Sequence, residues 1–195
     1  MKDQNLTRGS FIAASGFMLV NGFSAHAYSI EDKTLLAHEM KVMGEIADGE
    51  YEFLWKILDG VTEKELDWKP NKESNSIRWI IGHLCWFEEY FTDTLGDRKG
   101  RYLTDLKPKS INDKPYDEMK KRFDHYRMQT SKLISALGPA ELETVVKFVG
   151  SFDVSLREMA RIHISHLTGH TYQIRYIRGT YSRVFKTNKA LFDPW

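Results

Sequence analysis

Residues 161–174 read RIHISHLTGHTYQI and carry three histidines at helical spacing. At about 100° per residue, His163, His166 and His170 fall on one seam of a helix. The same seam holds four apolar residues, Leu156, Met159, Ile174 and Ile177. A buried imidazole without a partner costs roughly 1–3 kcal/mol. The pattern therefore predicts a helix whose core face holds a compensating hydrogen-bond network or a metal ion.

His166 and His170 are the better pair of metal ligands. Side chains four residues apart lie one above the other on a helix, so these two imidazoles can share one cation. His163 lies one turn earlier, and two interpretations stay open for it. It is either a group that supports the ligand histidines or an ordinary hydrogen-bonded histidine of the core.

Apolar residues at spacings of three and four predict four helices. Their approximate spans are 30–58, 77–95, 115–137 and 155–178. Ser155 opens the last helix with a capping pattern, and Gly179 stands in the position of a helix stop. His38 and His125 lie off the apolar stripes of their helices, so we expect both to face solvent.

The connections between these helices determine the topology. Residues 61–75 form a polar link, and residues 140–152 form another in which Val145–Val149 can pair as a strand. Residues 97–114 are longer and, at up to ~3.3 Å per residue, can return along a bundle. The prediction is an all-α four-helix bundle with one long crossover, in up-down-down-up order.

Composition excludes several classes of function. The 195-residue chain has 42% hydrophobic residues, enough for one domain with a substantial core. Its formal net charge is +1, without a long basic run, which argues against a nucleic-acid partner. Because Cys85 is the single cysteine, an internal disulfide framework and a zinc site of several thiolates are excluded.

The N-terminal segment has the features of a signal peptide over residues 1–27. Lys2 and Arg8 precede an apolar run at 11–20, and Ala25–Ala27 gives the small-x-small pattern of a cleavage site. The run is too short for a mature membrane helix, so no stable membrane span is expected. We expect export to the periplasm or secretion.

The remaining chain divides into two parts. Residues 28–180 are predicted to form the bundle, and residues 181–195 an aromatic tail. We expect the tail to pack on the bundle or on a second subunit, which would make the protein a homodimer.

Counting from the helix ends places four residues in one region of the bundle. Glu50 and His170 each lie about eight residues before the end of their helices, and His83 lies about seven after the start of its helix. His166 is one turn from His170. On the first helix either Glu50 or Tyr51 takes the inward position, and the periodicity favours neither.

Three neutral imidazoles with a vacant fourth position form the open arrangement of a catalytic zinc site. Zinc is therefore the favoured ion, with nickel and iron as alternatives. Glu50, if inward, would act as general base or hold a ligand, and Gln173 would orient a ligand or a small-molecule substrate. The chain lacks the Glu-x-x-His, His-Glu-x-x-His and Gly-x-Ser-x-Gly motifs and a Gly-rich phosphate loop.

Three segments resemble the DinB/YfiT-like superfamily of metal-binding four-helix bundles. They are LDGVTEKELDWKP at 58–70, NSIRWIIGHL at 75–84 and HLTGHTYQI at 166–174. The resemblance covers most of residues 30–180. It implies a metal triad of one histidine on the second helix and a His-x-x-x-His pair on the fourth. These positions correspond to His83, His166 and His170.

The resemblance also implies a choice of functions. Relatives include thiol-dependent S-transferases and isomerases, and others described as metal-dependent hydrolases. Because low-molecular-weight thiols are mainly cytosolic, predicted export favours hydrolysis or an unassigned metal reaction over the thiol-dependent S-transferase alternative. A non-catalytic metal-binding protein and a metal-free scaffold with three satisfied histidines are further alternatives.

Overall fold

A computed structural model of the protein describes residues 30–105 and 114–187. The elements within these residues are six α-helices, one hairpin and a short 3-10 turn. They are α1 (Ile30–Leu58), α2 (Glu63–Asp67), α3 (Ile77–Asp97), the turn Leu103–Asp105, α4 (Tyr116–Ser135), α5 (Pro139–Leu142), β1 (Val145–Phe148), β2 (Phe152–Ser155) and α6 (Leu156–Phe185). The predicted all-α class is confirmed.

The helices α1 and α6 pack together and run in the same direction. Near their beginnings, Arg157 of α6 forms a salt bridge with Glu39 of α1. Near their ends, Arg178 donates to the carbonyl of Ile57. These two contacts fix the relative register of α1 and α6.

The helix α3 packs against α6 in the opposite direction. Glu88, in the second half of α3, bonds His163 in the first half of α6. His83 lies about one and a half turns before Glu88 in α3, and it contacts His166, which lies about one turn after His163 in α6. Histidines on the two helices therefore face each other across one interface.

The helices α3 and α4 run in the same direction. Their contacts include Arg122 with Glu89, at 2.5 Å, and the hydroxyls of Thr92 and Thr130, at 2.8 Å. The connection between these helices must therefore return along their length. Residues 106–113 of this connection lie outside the described residues.

The described start of that connection is fixed to the hairpin. Gly100 forms a parallel bridge with Lys147 of β1 and has a φ of +64°. A Cβ on Gly100 would lie 2.0 Å from the Lys147 carbonyl oxygen, so only glycine fits this close approach. The predicted strand is confirmed, since β1 pairs antiparallel with β2 and Val146 lies opposite Val154.

The predicted start of α6 is confirmed, but its predicted end at Arg178 is wrong. The Ser155 hydroxyl accepts a hydrogen bond from the Glu158 amide, at 3.1 Å, and caps the helix. The helix passes through Gly179 and ends at Phe185. A glycine inside a helix costs only about 1 kcal/mol. Packing of the last turns compensates, since Phe185 lies 6.0 Å from Trp68, ring centroid to ring centroid.

Several predictions fall on residues that the structure does not describe. The predicted signal peptide lies within residues 1–29, and most of the predicted tail lies within residues 188–195. His38 and His125 are described, and both face solvent as predicted.

Across residues 30–105 and 114–187, no helix combines the length and the apolar character needed to cross a membrane.

Candidate metal centre

The structure brings His83 of α3 together with His166 and His170 of α6. The Nε2 atom of His166 lies 2.8 Å from Nε2 of His83 and 3.2 Å from Nε2 of His170. The three ligand atoms all lie within 4.8 Å of one another. The antiparallel helices α3 and α6 thus bring their imidazoles to a common point, one from α3 and two from α6.

These distances fit a single metal ion. Two nitrogens bound at 2.0–2.1 Å to a tetrahedral zinc ion lie about 3.3 Å apart. The spacing within this cluster is close to that value, and a small adjustment of the His83 ring would make room for the ion. The donor set is entirely imidazole nitrogen, which suits zinc, nickel and iron.

The surroundings keep the imidazoles in the neutral form that binds metals. Burial, reinforced by His170 and His83, lowers the pKa of His166 to about 2. Burial and the neighbouring His170 lower the pKa of His83 to about 4. Both rings are therefore neutral near pH 7, and no proton must leave them before a cation binds.

Gln173 fixes the orientation and tautomer of His170. The Nδ1 atom of His170 lies 2.9 Å from the side-chain oxygen of Gln173. An amide oxygen only accepts, so Nδ1 carries the hydrogen and Nε2 keeps its lone pair for the cluster. Gln173 thus contacts one histidine of the cluster. The Nδ1 atom of His166 is buried and has no hydrogen-bond partner among the described residues.

Aromatic side chains form the walls of the cluster. His83 stacks on Trp79, at 5.2 Å and 13°, and on Trp86, at 6.0 Å and 23°. Phe87 lies 4.1 Å from the His166 ring. These rings cover the flanks of the cluster, and Trp79 itself is 38% exposed. Sequence analysis did not select the tryptophans, although they stand four residues before and three after His83 and so share its face.

His163 belongs to a separate buried network. It is 2% exposed, and its Nε2 atom lies 2.7 Å from Oε2 of Glu88 and 3.2 Å from the Tyr51 hydroxyl. Tyr51 also donates to Glu88, at 2.8 Å. Two interpretations of His163 were open, and the structure shows that it is a hydrogen-bonded histidine of the core. On α1, Tyr51 therefore points into this network, while the neighbouring Glu50 is half-buried.

Glu88 was not identified by the sequence analysis. Burial raises the pKa of its carboxyl group, but His163 and Tyr51 outweigh that effect and hold the pKa below its ordinary value. Glu88 is therefore a buried carboxylate that accepts hydrogen bonds from two other helices. A glutamate five residues after His83 points about 140° away from it, so the histidine seam does not include it.

Glu50 is half-buried and lies outside the group of three mutually close ligand side chains. Its Oε2 atom is buried and has no hydrogen-bond partner among the described residues. This carboxylate oxygen can accept a hydrogen bond from a water molecule or a substrate. A catalytic role for Glu50 therefore remains a proposal.

Cys85 takes no part in the cluster. Its thiol is fully buried and donates to the Met119 carbonyl, at 3.2 Å. Burial raises the pKa of the thiol to about 12. The residue is thus a small buried side chain of the core.

Comparison with known proteins identifies a family for this chain. A search of the curated proteins gives no match to this chain. The model of the DinB superfamily matches residues 48–174, which include all three clustered histidines. The chain therefore belongs to the DinB superfamily.

Proposed function

We propose that the protein binds one divalent metal ion through His83, His166 and His170 and uses it to hydrolyse a small-molecule substrate. The observation that carries the proposal is the meeting of three Nε2 atoms within 4.8 Å. Superfamily membership and the cluster are both compatible with metal binding. Zinc is the proposed ion, with nickel and iron as alternatives.

His83, His166 and His170 would supply three ligands to the ion, which would leave a fourth position open for water or substrate. When bound, the ion supplies Lewis acidity and lowers the pKa of water toward ~7. Gln173 holds the His170 ring in its ligating tautomer. Trp79 and Trp86 keep bulk water from the faces of His83 and offer an apolar surface to a substrate.

Glu50 is the proposed proton acceptor. Its buried Oε2 atom has no hydrogen-bond partner among the described residues, as expected of a carboxylate whose partner is a bound reactant. A carboxylate in this role would take a proton from the attacking water and return it to the leaving group. The role requires only that Glu50 come within hydrogen-bond reach of the reactants when substrate binds.

Metal content is the first test. We expect about one equivalent of metal per chain by elemental analysis, and none in His166→Ala. His125→Ala, a change of an exposed histidine on α4, is the matched control and should keep the metal. A metal-free wild-type protein that also fails to take up zinc, nickel or iron would contradict the proposal.

A panel of ester, amide and phosphoester substrates is the second test. Glu50→Gln should keep the metal and lose at least ~100-fold in turnover, the usual contribution of a general base. Glu52→Gln, a change of an exposed neighbour on α1, should leave turnover unchanged. Equal activity of the two variants would remove Glu50 from the mechanism, and metal without turnover on any substrate would indicate a binding protein.

A further inference from the structure

A cavity of about 410 Å³ lies between α1 and α4, and α5 contributes to one end. Most of its wall is apolar and comes from Met40, Ala47, Ile134, Leu137 and Leu142. The volume is in the range of sites for small organic ligands. His83, His166 and His170 do not line it. This cavity is therefore separate from the metal centre.

Three of the polar side chains that line the cavity are buried, namely Tyr51, Thr130 and His163. The serines of the lining, Ser131 and Ser135, are exposed. The Tyr51 hydroxyl gives its one hydrogen to Glu88, at 2.8 Å. Tyr51 therefore has no hydrogen to donate to a ligand, but its oxygen can still accept a hydrogen bond through a lone pair. On this side the cavity therefore offers a hydrogen-bond acceptor.

Thr130 is a second hydrogen-bond acceptor in the wall of the cavity. The Thr92 hydroxyl gives its hydrogen to the Glu88 carbonyl, at 2.9 Å. The Thr130 hydroxyl lies 2.8 Å from the Thr92 hydroxyl and also bonds the Glu88 carboxylate, so one of these two acceptors takes its hydrogen. Its hydrogen is used, and its remaining lone pair is available. At the buried polar wall of the cavity a ligand therefore finds two acceptors and needs a donor, whereas Ser131, Ser135 and Lys41 line its exposed part.

The mouth of the cavity carries charges that cancel. Arg127 bonds Asp48, at 3.0 Å, and Lys41 lies 3.9 Å from Glu45. The Arg127 guanidinium also lies 4.5 Å from the centre of the Tyr51 ring. A buried ammonium group beside this guanidinium would be repelled, and a carboxylate would face Glu88 behind the polar wall. The cavity therefore suits an uncharged molecule.

We propose that this cavity binds an uncharged, mostly apolar molecule that ends in a hydroxyl group, as an alkylphenol does. The hydroxyl hydrogen is donated to Tyr51 or Thr130, and the apolar part packs against the walls formed by α1, α4 and α5. The inference does not rest on the metal or on hydrolysis.

Calorimetric titration with 4-pentylphenol tests the proposal. We expect saturable binding with one molecule per chain. Two matched probes test the class of ligand. The methyl ether 4-pentylanisole, which has no donor, should bind at least about fivefold more weakly, the usual effect of one neutral hydrogen bond. The charged 4-pentylbenzoate should not bind.

Two glycines of α1 offer matched variants that locate the binding. Gly44 lines the cavity, Gly49 does not, and a Cβ at either position would have no atom within 4 Å. Gly44→Leu should fill the cavity and weaken phenol binding at least tenfold, whereas Gly49→Leu should leave it unchanged. Circular dichroism should show both variants folded, since leucine is the better helix former.

Thr130→Val provides a second test that conserves volume. If Thr130 is one of the acceptors, this variant should bind 4-pentylphenol more weakly than the wild type does, but should bind 4-pentylanisole equally well. Three results would overturn the proposal. They are no saturable phenol binding, equal binding of phenol and anisole, or equal phenol binding by Gly44→Leu and Gly49→Leu.

Discussion

Arg178 on α6 and Glu65 on α2 form a buried, two-pronged salt bridge. Nε donates to Oε1 at 2.6 Å and Nη2 to Oε2 at 3.3 Å, with the two residues only 4% and 7% exposed. Nη1 donates to the carbonyls of Ile57 and Asp59 at the end of α1. One guanidinium therefore holds three helices together at one end of the molecule.

Removing this guanidinium should be severely destabilising. Arg178→Met leaves Glu65 as an unpaired buried carboxylate, and we expect a loss of about 3–5 kcal/mol in the free energy of unfolding. Arg178→Lys keeps the charge but not the planar fork, and should still lose about 1–3 kcal/mol. Urea denaturation measures both. Full stability of the lysine variant would show that charge alone matters.

An exposed salt bridge provides the control for Arg178. Arg101 pairs with Asp97, at 3.0 Å, and both side chains are partly in solvent. Arg101→Ala should change the free energy of unfolding by less than ~1 kcal/mol.

The contact between Gln173 and His170 should tune metal affinity. Without the amide oxygen, the His170 ring is free to rotate and to place its hydrogen on either nitrogen. We expect Gln173→Ala to weaken metal binding by about tenfold, the lower end of the effect of groups behind metal ligands. Competition with a chromophoric chelator measures this ratio.

Gln129 is the matched control for Gln173. It also contacts a histidine on its own helix, with its side-chain nitrogen 2.9 Å from Nε2 of the exposed His125 on α4. Gln129→Ala should bind metal as the wild type does. Equal affinities of the two variants would remove Gln173 from the metal site.

Glu88 should give the protein a defined loss of stability in acid. Its folded-state pKa lies below the ordinary glutamate value of 4.5, so the unfolded chain takes up the proton first as the pH falls. The stability that the carboxylate contributes is present above pH 4.5. It is lost as the pH falls through the folded-state pKa.

The variant Glu88→Gln removes this titration. We expect it to be less stable than the wild type by about 1.5–3 kcal/mol at pH 7, the usual value of hydrogen bonds to a charged group. The difference should shrink as the pH falls from 5 to 3. Urea denaturation across this range checks it, and a constant difference would mean that Glu88 is not ionised in the folded protein.

We propose that the chain is exported and that its leader is removed near Ala27. The basis is the order of basic residues, apolar run and small-x-small pattern over residues 1–27. Intact-mass measurement on the protein recovered from the native host should give a species that lacks these residues. A cytoplasmic species that begins at Met1 or nearby would contradict this.

The histidine cluster could be predicted because its determinants are local. The spacing of His166 and His170 places both on one face of a helix, and this follows from sequence alone. His83 was placed at the same depth by counting from the helix ends. Helix length and short connections are enough for this estimate, since antiparallel neighbours keep a simple register.

The buried network could not be predicted because its determinants are distant in sequence. Glu88 is stabilised by Tyr51 and His163, which lie 37 and 75 residues away. Without those partners a glutamate on α3 is expected to face solvent. For the same reason the periodicity of α1 could not choose between Glu50 and Tyr51. The choice depends on a partner for the phenol hydroxyl.

The end of α6 was misjudged for a related reason. Gly179 has the local signature of a helix stop, and Arg178 that of an exposed final residue. In the fold both are buried, and the salt bridge to Glu65 holds the helix through this point. A local stop signal was thus overcome by a contact with a residue 113 positions earlier.

The burial of Cys85 makes the protein suitable for site-directed labelling. With a pKa of about 12, only about one thiol in ten thousand is ionised at pH 8, and the thiolate is the reactive form. A cysteine introduced at an exposed site such as Lys121 would react with a maleimide dye or spin label while Cys85 stays unmodified. Distances between α4 and other helices could then be followed in solution without first removing the native cysteine.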